Sequence, residues 1–167
     1  RVMASDSTSK PAGTWPPAGA ACLFVWSGIS VSTGGALARL AAWRAAEPAA
    51  YARCMGALCC LAEMTPQALA GPADAFVELV RAYAGALDAL ETASGLVIHS
   101  PRQRALRALV EAEGAAFKPC GAGGDFGMIV ADGPERLEHV RRISLAAGFA
   151  PRDWAPDAQG LEVGDAA

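Results

Sequence analysis

A glycine-rich loop between two short apolar segments constrains this chain more than any other feature. Gly121, Gly123 and Gly124 fall within four residues, with residues 115–118 before them and 126–131 after them. Both flanking segments are of strand length and largely apolar, so the pattern predicts two strands joined by this loop. Because glycine adopts positive φ at little cost and leaves its amide unshielded, successive N–H groups can converge on an anion. The alternative is an ordinary tight connection between strands.

Two common phosphate-binding patterns are excluded for this loop. The sequence contains no GxxxxGK[ST] segment, which a P-loop requires. Gly121-Ala122-Gly123 is not followed by the third glycine and the helix of a dinucleotide-binding fingerprint. Lys118, before the loop, is interpreted either as a phosphate contact or as a solvated lysine at a strand end. Asp125, after the glycines, is interpreted either as a group that orients a substrate hydroxyl or as a loop cap.

The rest of the chain predicts an α+β domain. Residues 20–26 form a continuous apolar run bounded by glycines, which is typical of a buried strand. Ser100-Pro101 is a helix cap followed by a first-turn proline. A last short strand is predicted at residues 160–163. The predicted helices cover residues 34–46, 48–63, 65–69, 73–93, 101–113 and 134–147. This order of elements predicts an antiparallel sheet with helices packed on one face.

Composition limits the classes of protein to which this chain can belong. A length of 167 residues suits one domain, and 53% hydrophobic against 19% charged residues excludes a disordered chain. The net charge is −3 without a basic cluster, and only 7% of residues are aromatic, so no nucleic-acid partner is predicted. No apolar run reaches the roughly 18 to 20 residues of a membrane span, and the first residues lack an apolar signal segment. No membrane association is predicted.

The cysteine and histidine pattern argues against a metal site. The five cysteines contain no CxxC pair, and neither His99 nor His139 lies near one of them. We therefore predict reduced, mostly buried cysteines in a cytoplasmic protein, with no metal bound. Neither histidine has a partner in view, so solvated or capping roles are expected. A solvated helix face is expected for Arg102, Arg104 and Arg107.

Two segments of the sequence resemble conserved motifs of the GHMP small-molecule kinases. Residues 118–127, KPCGAGGDFG, are similar to the third motif of that family, most closely to its form in phosphomevalonate kinases, K-x-S-G-A-G-G-G-D-x-G. Residues 24–33, FVWSGISVST, resemble the W-T-G-x-x-A-S-T segment of the same kinases. The two matches stand in the right order with helices between them, which is more specific than either match alone. The resemblance spans roughly residues 20–163.

The departures from the family pattern define what the resemblance implies. The loop has one glycine fewer than usual, Cys120 stands where serine is usual, and Phe126 stands where a small residue or cysteine is common. Residues 1–19 contain no P-x-x-x-G-L-x-S-S-A segment, which in this family cradles the nucleotide phosphates. The resemblance therefore implies a C-terminal domain at residues 20–167. Residues 1–19 are expected to be an irregular lead-in or linker from an N-terminal kinase domain, on the same precursor or on a partner chain.

The function implied by the resemblance is that of an ATP-dependent kinase. The expected reaction is ATP plus 5-phosphomevalonate to ADP plus 5-diphosphomevalonate, with Mg²⁺ and with the main ATP loop outside this chain. One alternative is a sibling enzyme that acts on mevalonate, homoserine or a sugar. The other is a non-catalytic domain that binds a small anion.

The predicted binding residues come from both motif segments. Ser30, Ser32 and Thr33 precede a predicted helix, whose N-terminal amides and dipole favour anions. They are predicted either to bind a substrate phosphate or carboxylate or to cap the helix. The loop amides would face the substrate or the transferring phosphate. No catalytic residue is identified. The full predicted set for the phosphorylated or carboxylate substrate is Ser30, Ser32, Thr33, Lys118, Cys120, Gly121, Ala122, Gly123, Gly124 and Asp125.

Overall fold

Four strands and six helices make up the part of the chain that the structure describes. This structure is a computed structural model, and it describes residues 15–30, 33–121 and 123–154. The predicted strand at residues 160–163 lies outside the described residues. The elements are β1 (Ala21–Trp26), α1 (Thr33–Ala46), α2 (Pro48–Glu63), α3 (Thr65–Ala70), α4 (Ala73–Ser94), α5 (Pro101–Ala112), β2 (Ala116–Pro119), β3 (Phe126–Ala131), α6 (Pro134–Ala146) and β4 (Ala150–Arg152).

The strands form one antiparallel sheet in the order β2-β3-β1-β4. Ala21 pairs with Ala131 and Trp26 with Phe126, so β1 and β3 run in register along their full lengths. Chain order and sheet order together correspond to a split βαβ arrangement, in which α1 to α5 fill the first crossover. The predicted α+β class with an antiparallel sheet is confirmed. β4, at the sheet edge, was not predicted.

The main core lies between the sheet and the pair α5 and α6. Side chains alternate across a strand, so every second residue of β1, β2 and β3 points to this face. Leu106 and Val110 of α5 and Val140 of α6 are fully buried against it. The strand residues that share this cluster are Leu23, Val25, Phe117, Ile129 and Ala131.

The opposite face of the sheet is covered at one end by α4. Phe76, Val77 and Val80 of α4 pack there on Ala116 and Val130. The expectation that all helices pack on one face is therefore corrected, because α4 lies across the sheet from α5 and α6. The physical reason is that neighbouring residues of β2 and β3 are both apolar, which is the pattern of a strand buried on its two faces.

Helices α1 and α2 form an outer layer with few buried side chains. Leu58 is the buried residue of α2, and α1 contributes none to the buried set. Cys59 and Cys60 are exposed, which corrects the prediction that the cysteines are mostly buried; the other three are half-buried. Within the described residues, no helix is both long and apolar enough to cross a membrane.

The packing of α5 leads to a first prediction. Leu106 is fully buried in the main core, whereas Leu109 on the same helix is 49% exposed. We expect Leu106→Ala to lower the free energy of unfolding by about 2 to 5 kcal/mol, because it removes buried methyl groups and leaves a cavity. The matched change Leu109→Ala should cost about 0.5 kcal/mol or less. Urea denaturation measures both, and equal losses would contradict this placement of the core.

Candidate functional site

The two motif segments identified in the sequence meet at one end of the sheet. Trp26 ends β1 opposite Phe126, the first residue of β3, so the residues that follow β1 lie beside the glycine-rich loop. The backbone N–H of Ser27 donates to the carbonyl of Asp125 at 2.8 Å. Its hydroxyl donates to the carbonyl of Gly124, also at 2.8 Å. Ser27 therefore joins the two segments directly.

The loop itself is a tight turn that needs its glycines. Gly121, Gly123 and Gly124 have φ of +58°, +85° and +86°, a region that side chains disfavour. The N–H of Gly123 donates to the carbonyl of Cys120 at 3.0 Å, and the N–H of Cys120 donates to the carbonyl of Phe126 at 3.0 Å. The loop is thus closed by hydrogen bonds across its base.

A second set of contacts reaches the loop from the start of α5. Gln103 is fully buried, and its Oε1 accepts a hydrogen bond from the N–H of Gly124 at 3.2 Å. Arg102 donates from Nη1 to the carbonyl of Ser27 at 3.0 Å. The predicted cap at Ser100 is confirmed, since its hydroxyl accepts from the N–H of Gln103. The sequence analysis did not identify Gln103. The available signal was its position three residues after Ser100, which is the spacing of a capping box.

The loop amides are only partly available to a ligand in this conformation. The N–H groups of Gly123 and Gly124 both donate to acceptors within the protein. Gly121 is exposed, and so are Ser30 and Thr33, the latter being the first residue of α1. The two remaining predicted residues of these segments, Ser32 and Ala122, lie outside the described residues.

An apolar cavity of about 390 Å³ lies beside the loop, between α1, α4 and the segment after α4. Thr33 and Gly121 both line it, which places the start of α1 next to the loop. Its other lining residues are aliphatic, namely Ala36, Leu37, Leu40, Leu87, Leu90, Leu96 and Ile98. The cavity therefore offers hydrocarbon contact at the place where the two predicted anion-binding segments come together.

Lys118 and Cys120 are half-buried at the end of β2. The ammonium of Lys118 donates to the carbonyl of Pro119 at 2.9 Å and lies 5.2 Å from the ring centre of Tyr83. Burial lowers the pKa of Lys118, although the nearby Cys120 opposes this change. Burial raises the pKa of the Cys120 thiol, Lys118 opposes that rise, and Asp125 adds to it. Cys120 is therefore a neutral thiol and a weak hydrogen-bond donor.

Asp125 caps the start of β3. Its Oδ1 accepts a hydrogen bond from the N–H of Phe126 at 2.7 Å, and its carbonyl accepts from Ser27. This geometry matches the capping interpretation of the residue. A role in orienting a substrate hydroxyl stays a prediction.

A buried ionic network fixes the segment that lies against the loop. Glu91 of α4 is 6% exposed, and its Oε1 accepts from the N–H groups of Ile98 and His99 at 2.5 and 2.8 Å. Its Oε2 lies 2.9 Å from Nδ1 of His99 and 3.1 Å from Nη2 of Arg104. Burial alone would raise the pKa of Glu91, but the hydrogen bonds from His99 and Ile98 outweigh it and hold this pKa below its usual value.

This network corrects two expectations about charged residues. His99 is fully buried rather than solvated or capping. The α5 arginines are not a simple solvated face, because Arg102 and Arg104 reach specific partners and Arg107 donates to Asp88 at 2.6 Å. No sequence periodicity connects these residues, since the partners lie on different elements.

The same cluster has the residue types of a cation site, but the oxygens of its buried carboxylate, Glu91, are already engaged. Ligand atoms of Asp88, Glu91 and His99 lie within 4.8 Å of one another. Both oxygens of Glu91 already face two donors each, and one of those donors is the guanidinium of Arg104. A cation would have to displace this positive group. The arrangement therefore fits a structural ion network better than a metal centre.

Solved structures with the same fold include small-molecule kinases. A Lin0012 protein from Listeria innocua superposes with a TM-score of 0.75 at 20% identity over 86% of this chain. Streptococcus pneumoniae phosphomevalonate kinase in complex with phosphomevalonate and AMPPNP gives 0.67 at 17% identity over 78% of the chain. L. major mevalonate kinase in complex with R-mevalonate gives 0.65 at 16% identity over 75%.

These similarities establish a fold shared with parts of a phosphomevalonate kinase and a mevalonate kinase. The chain spans 39%, 37% and 37% of the lengths of those three structures, so it corresponds to a part of each. The sequence itself matches no family model and no curated protein.

The close packing of the loop generates a second prediction. A Cβ added at Gly123 would fall inside the carbonyl of Ile98, whereas one added at Gly28 would meet nothing within 4 Å. The two residues have nearly equal φ, +85° and +86°. We expect Gly28→Ala to cost about 1 to 2 kcal/mol of stability from backbone strain alone. Gly123→Ala should cost a further 1 to 3 kcal/mol or so from overpacking. Thermal denaturation of both variants checks this, and equal losses would contradict the contact with Ile98.

The lowered pKa of Glu91 generates a prediction about acid stability. Because its pKa is lower in the folded chain than in the unfolded chain, the carboxylate stabilises the fold fully above its ordinary pKa of about 4.3. This contribution is lost as the pH falls through the folded value. We expect Glu91→Gln to lower stability at pH 7 by about 3 kcal/mol and to flatten the acid-side decline.

The control for this prediction is Glu63→Gln, which changes an exposed glutamate of α2. Urea denaturation between pH 7 and pH 3 gives the free energy of unfolding at each pH. Plotted against pH, this free energy should run parallel for the control and the wild type. If Glu91→Gln also gave a parallel curve, the carboxylate would not be the source of the acid sensitivity.

Proposed function

We propose that this chain is the C-terminal domain of a GHMP-type kinase that phosphorylates 5-phosphomevalonate. The γ-phosphoryl group of ATP would pass to a phosphate oxygen of the acceptor, with cleavage of its bond to ADP and formation of the bond in 5-diphosphomevalonate. The observation that carries the proposal is the pair of hydrogen bonds from Ser27 to the loop at Gly124 and Asp125. They join into one surface the two segments that resemble the kinase motifs.

The fold supports use of ATP and an anionic acceptor. Among the solved structures of this fold, one kinase holds phosphomevalonate with AMPPNP and another holds R-mevalonate. Phosphoryl transfer depends mainly on positioning and on charge stabilisation, which glycine loops and helix N-termini provide. On this proposal Thr33 and Gly121, which line one cavity, would contact the acceptor's anionic group.

The apolar cavity favours one class of acceptor over another. Its aliphatic lining suits the branched hydrocarbon part of a mevalonate derivative. The hydroxyls of a sugar would lose hydrogen bonds to water without finding partners there, at a cost of roughly 1 to 3 kcal/mol each. This supports phosphomevalonate, or mevalonate as the sibling alternative, over a hexose.

The described residues place one carboxylate at the loop, that of Asp125, which is too few ligands for a magnesium site held by this chain alone. Asp125 is the carboxylate of the loop, and its Oδ1 already accepts from the N–H of Phe126. Mg²⁺ prefers several oxygen ligands, including carboxylates and phosphates. We therefore assign no step of the reaction to a metal held by this chain.

The partner in this proposal is an N-terminal kinase domain, on the same precursor or on a separate chain. It would supply the main ATP loop, the magnesium ligands and the catalytic residue. The chain's span of less than two fifths of the solved kinases is consistent with such a division. A cytoplasmic location stays a prediction, and the free cysteines of the described chain suit it.

A second candidate is a non-catalytic domain that binds a small anion. The observation that favours it is the engagement of the Gly123 and Gly124 amides by protein acceptors. Fewer main-chain donors are then left to stabilise a transferring phosphoryl group.

An acceptor panel distinguishes these functions. Two samples would be compared: the chain alone, and the chain combined with the N-terminal domain proposed above. Each would be incubated with labelled ATP and one acceptor, namely 5-phosphomevalonate, mevalonate, homoserine or galactose. We expect transfer of label to 5-phosphomevalonate by the combined protein and none at kinase-like rates by the chain alone. Transfer to galactose instead would overturn the acceptor assignment. Binding of 5-phosphomevalonate without transfer to any acceptor would favour the anion-binding domain.

A further inference from the structure

We infer that Gln103 is a positioning residue for the glycine-rich loop, and that it decides which loop amides remain for a ligand. Its side-chain amide connects the start of α5 to the loop, although the two lie on different elements. The identity of the ligand as a small phosphorylated acceptor rests on the proposed function, whereas the positioning itself does not.

The side-chain amide of Gln103 makes three hydrogen bonds in a fully buried position. Its Oε1 accepts from the N–H of Ser100 at 3.0 Å and from the N–H of Gly124 at 3.2 Å. Its Nε2 donates to the carbonyl of Phe126 at 3.4 Å. Two N–H donors face one end of the amide and a carbonyl faces the other, so the partners themselves assign the oxygen and the nitrogen.

Because the side chain bonds both to the cap at Ser100 and to the loop, glutamine suits position 103 better than glutamate. A capping box accepts either residue at its third helical position. A glutamate would still accept from Ser100 and Gly124, but it would place a carboxylate oxygen against the carbonyl of Phe126. The contact with Phe126 therefore selects the amide, and that contact belongs to the loop rather than to the cap.

The loop is therefore divided into a clamped half, Gly123 and Gly124, and a ligand-facing half, Gly121. Gly124 is held by Gln103, and Gly123 donates to Cys120 and lies against the carbonyl of Ile98. Gly121, in contrast, is exposed and lines the apolar cavity. Gln103 thus fixes Gly124, and through the short clamped half it helps to set the position of Gly121.

The test compares Gln103→Met, Gln103→Glu and the control Gln67→Met, which makes the same change at an exposed glutamine of α3. Amide hydrogen exchange, followed by NMR, measures the exchange rate of the Gly124 N–H relative to that of Ile129, a buried residue of β3. Titration with 5-phosphomevalonate, and separately with inorganic phosphate, reports ligand affinity. A ratio to a core amide removes any global loss of stability from the comparison.

We expect Gln103→Met to speed exchange at Gly124 about tenfold relative to Ile129, the change expected for one lost buried hydrogen bond. Gln103→Glu retains an acceptor, so it should restore slow exchange at Gly124. Gln67→Met should match the wild type in both measurements. We also expect Gln103→Met to weaken 5-phosphomevalonate binding roughly tenfold, because the clamped half would no longer position Gly121.

Two outcomes overturn the inference while leaving the proposed function intact. One is wild-type exchange at Gly124 in Gln103→Met, and the other is faster exchange with unchanged affinity for 5-phosphomevalonate. If the wild type binds neither 5-phosphomevalonate nor phosphate, the proposed ligand fails, and the exchange data still decide whether Gln103 clamps the loop. If Gln103→Met does not fold, Gln103→Glu alone decides. Its carboxylate would repel the carbonyl of Phe126, which also accepts from the N–H of Cys120, so we expect a protected Gly124 amide together with faster exchange of the Cys120 amide, and fast exchange at Gly124 would overturn the inference.

Discussion

The pairing of β1 with β3 is the interaction on which the candidate site depends. Antiparallel register places Trp26 opposite Phe126, and Ser27 continues this contact beyond the last paired residues by bonding to Gly124 and Asp125. Residues distant in sequence are therefore neighbours at one end of the sheet. Because Leu23 and Val25 of β1 are buried whereas their neighbours along the strand are only half-buried, a one-residue slip against β3 would move these apolar side chains out of the core. The packing of the core thus maintains the contact between the two motif segments.

Polar contacts from Glu91 and Gln103 hold the loop and the segment against it in one conformation. Glu91 fixes the backbone at Ile98 and His99, and the carbonyl of Ile98 lies directly against Gly123. Gln103 then accepts from Gly124. A buried carboxylate is tolerated only when its oxygens are satisfied, and here both oxygens face two donors. The ionic network, the start of α5 and the loop consequently form one connected structure, and the exposed Gly121 lies at its outer side.

Local sequence signals predicted most elements of this fold but not their arrangement. The strand at residues 126–131 and the helix at residues 48–63 have the predicted bounds, because glycine, proline and apolar periodicity determine where elements begin and end. β4 was missed because its three residues, two of which are charged or proline, lack a strand pattern and are held only by pairing with β1. The burial of His99 was missed because Glu91, its partner, belongs to a different element.

The sequence by itself determined the α+β class, the bounds of the six helices and of β1, β2 and β3 to within one residue, and the freedom of Gly121, Gly123 and Gly124 to adopt positive φ. Each of these follows from the conformational preferences of a few neighbouring residues. Only the tertiary structure decided that α4 covers the second face of the sheet, that Glu91 and His99 form a buried pair, and that Gln103 accepts a hydrogen bond from the N–H of Gly124. These contacts join residues that do not belong to the same element, and packing and hydrogen-bond geometry select the partners, which no local pattern records.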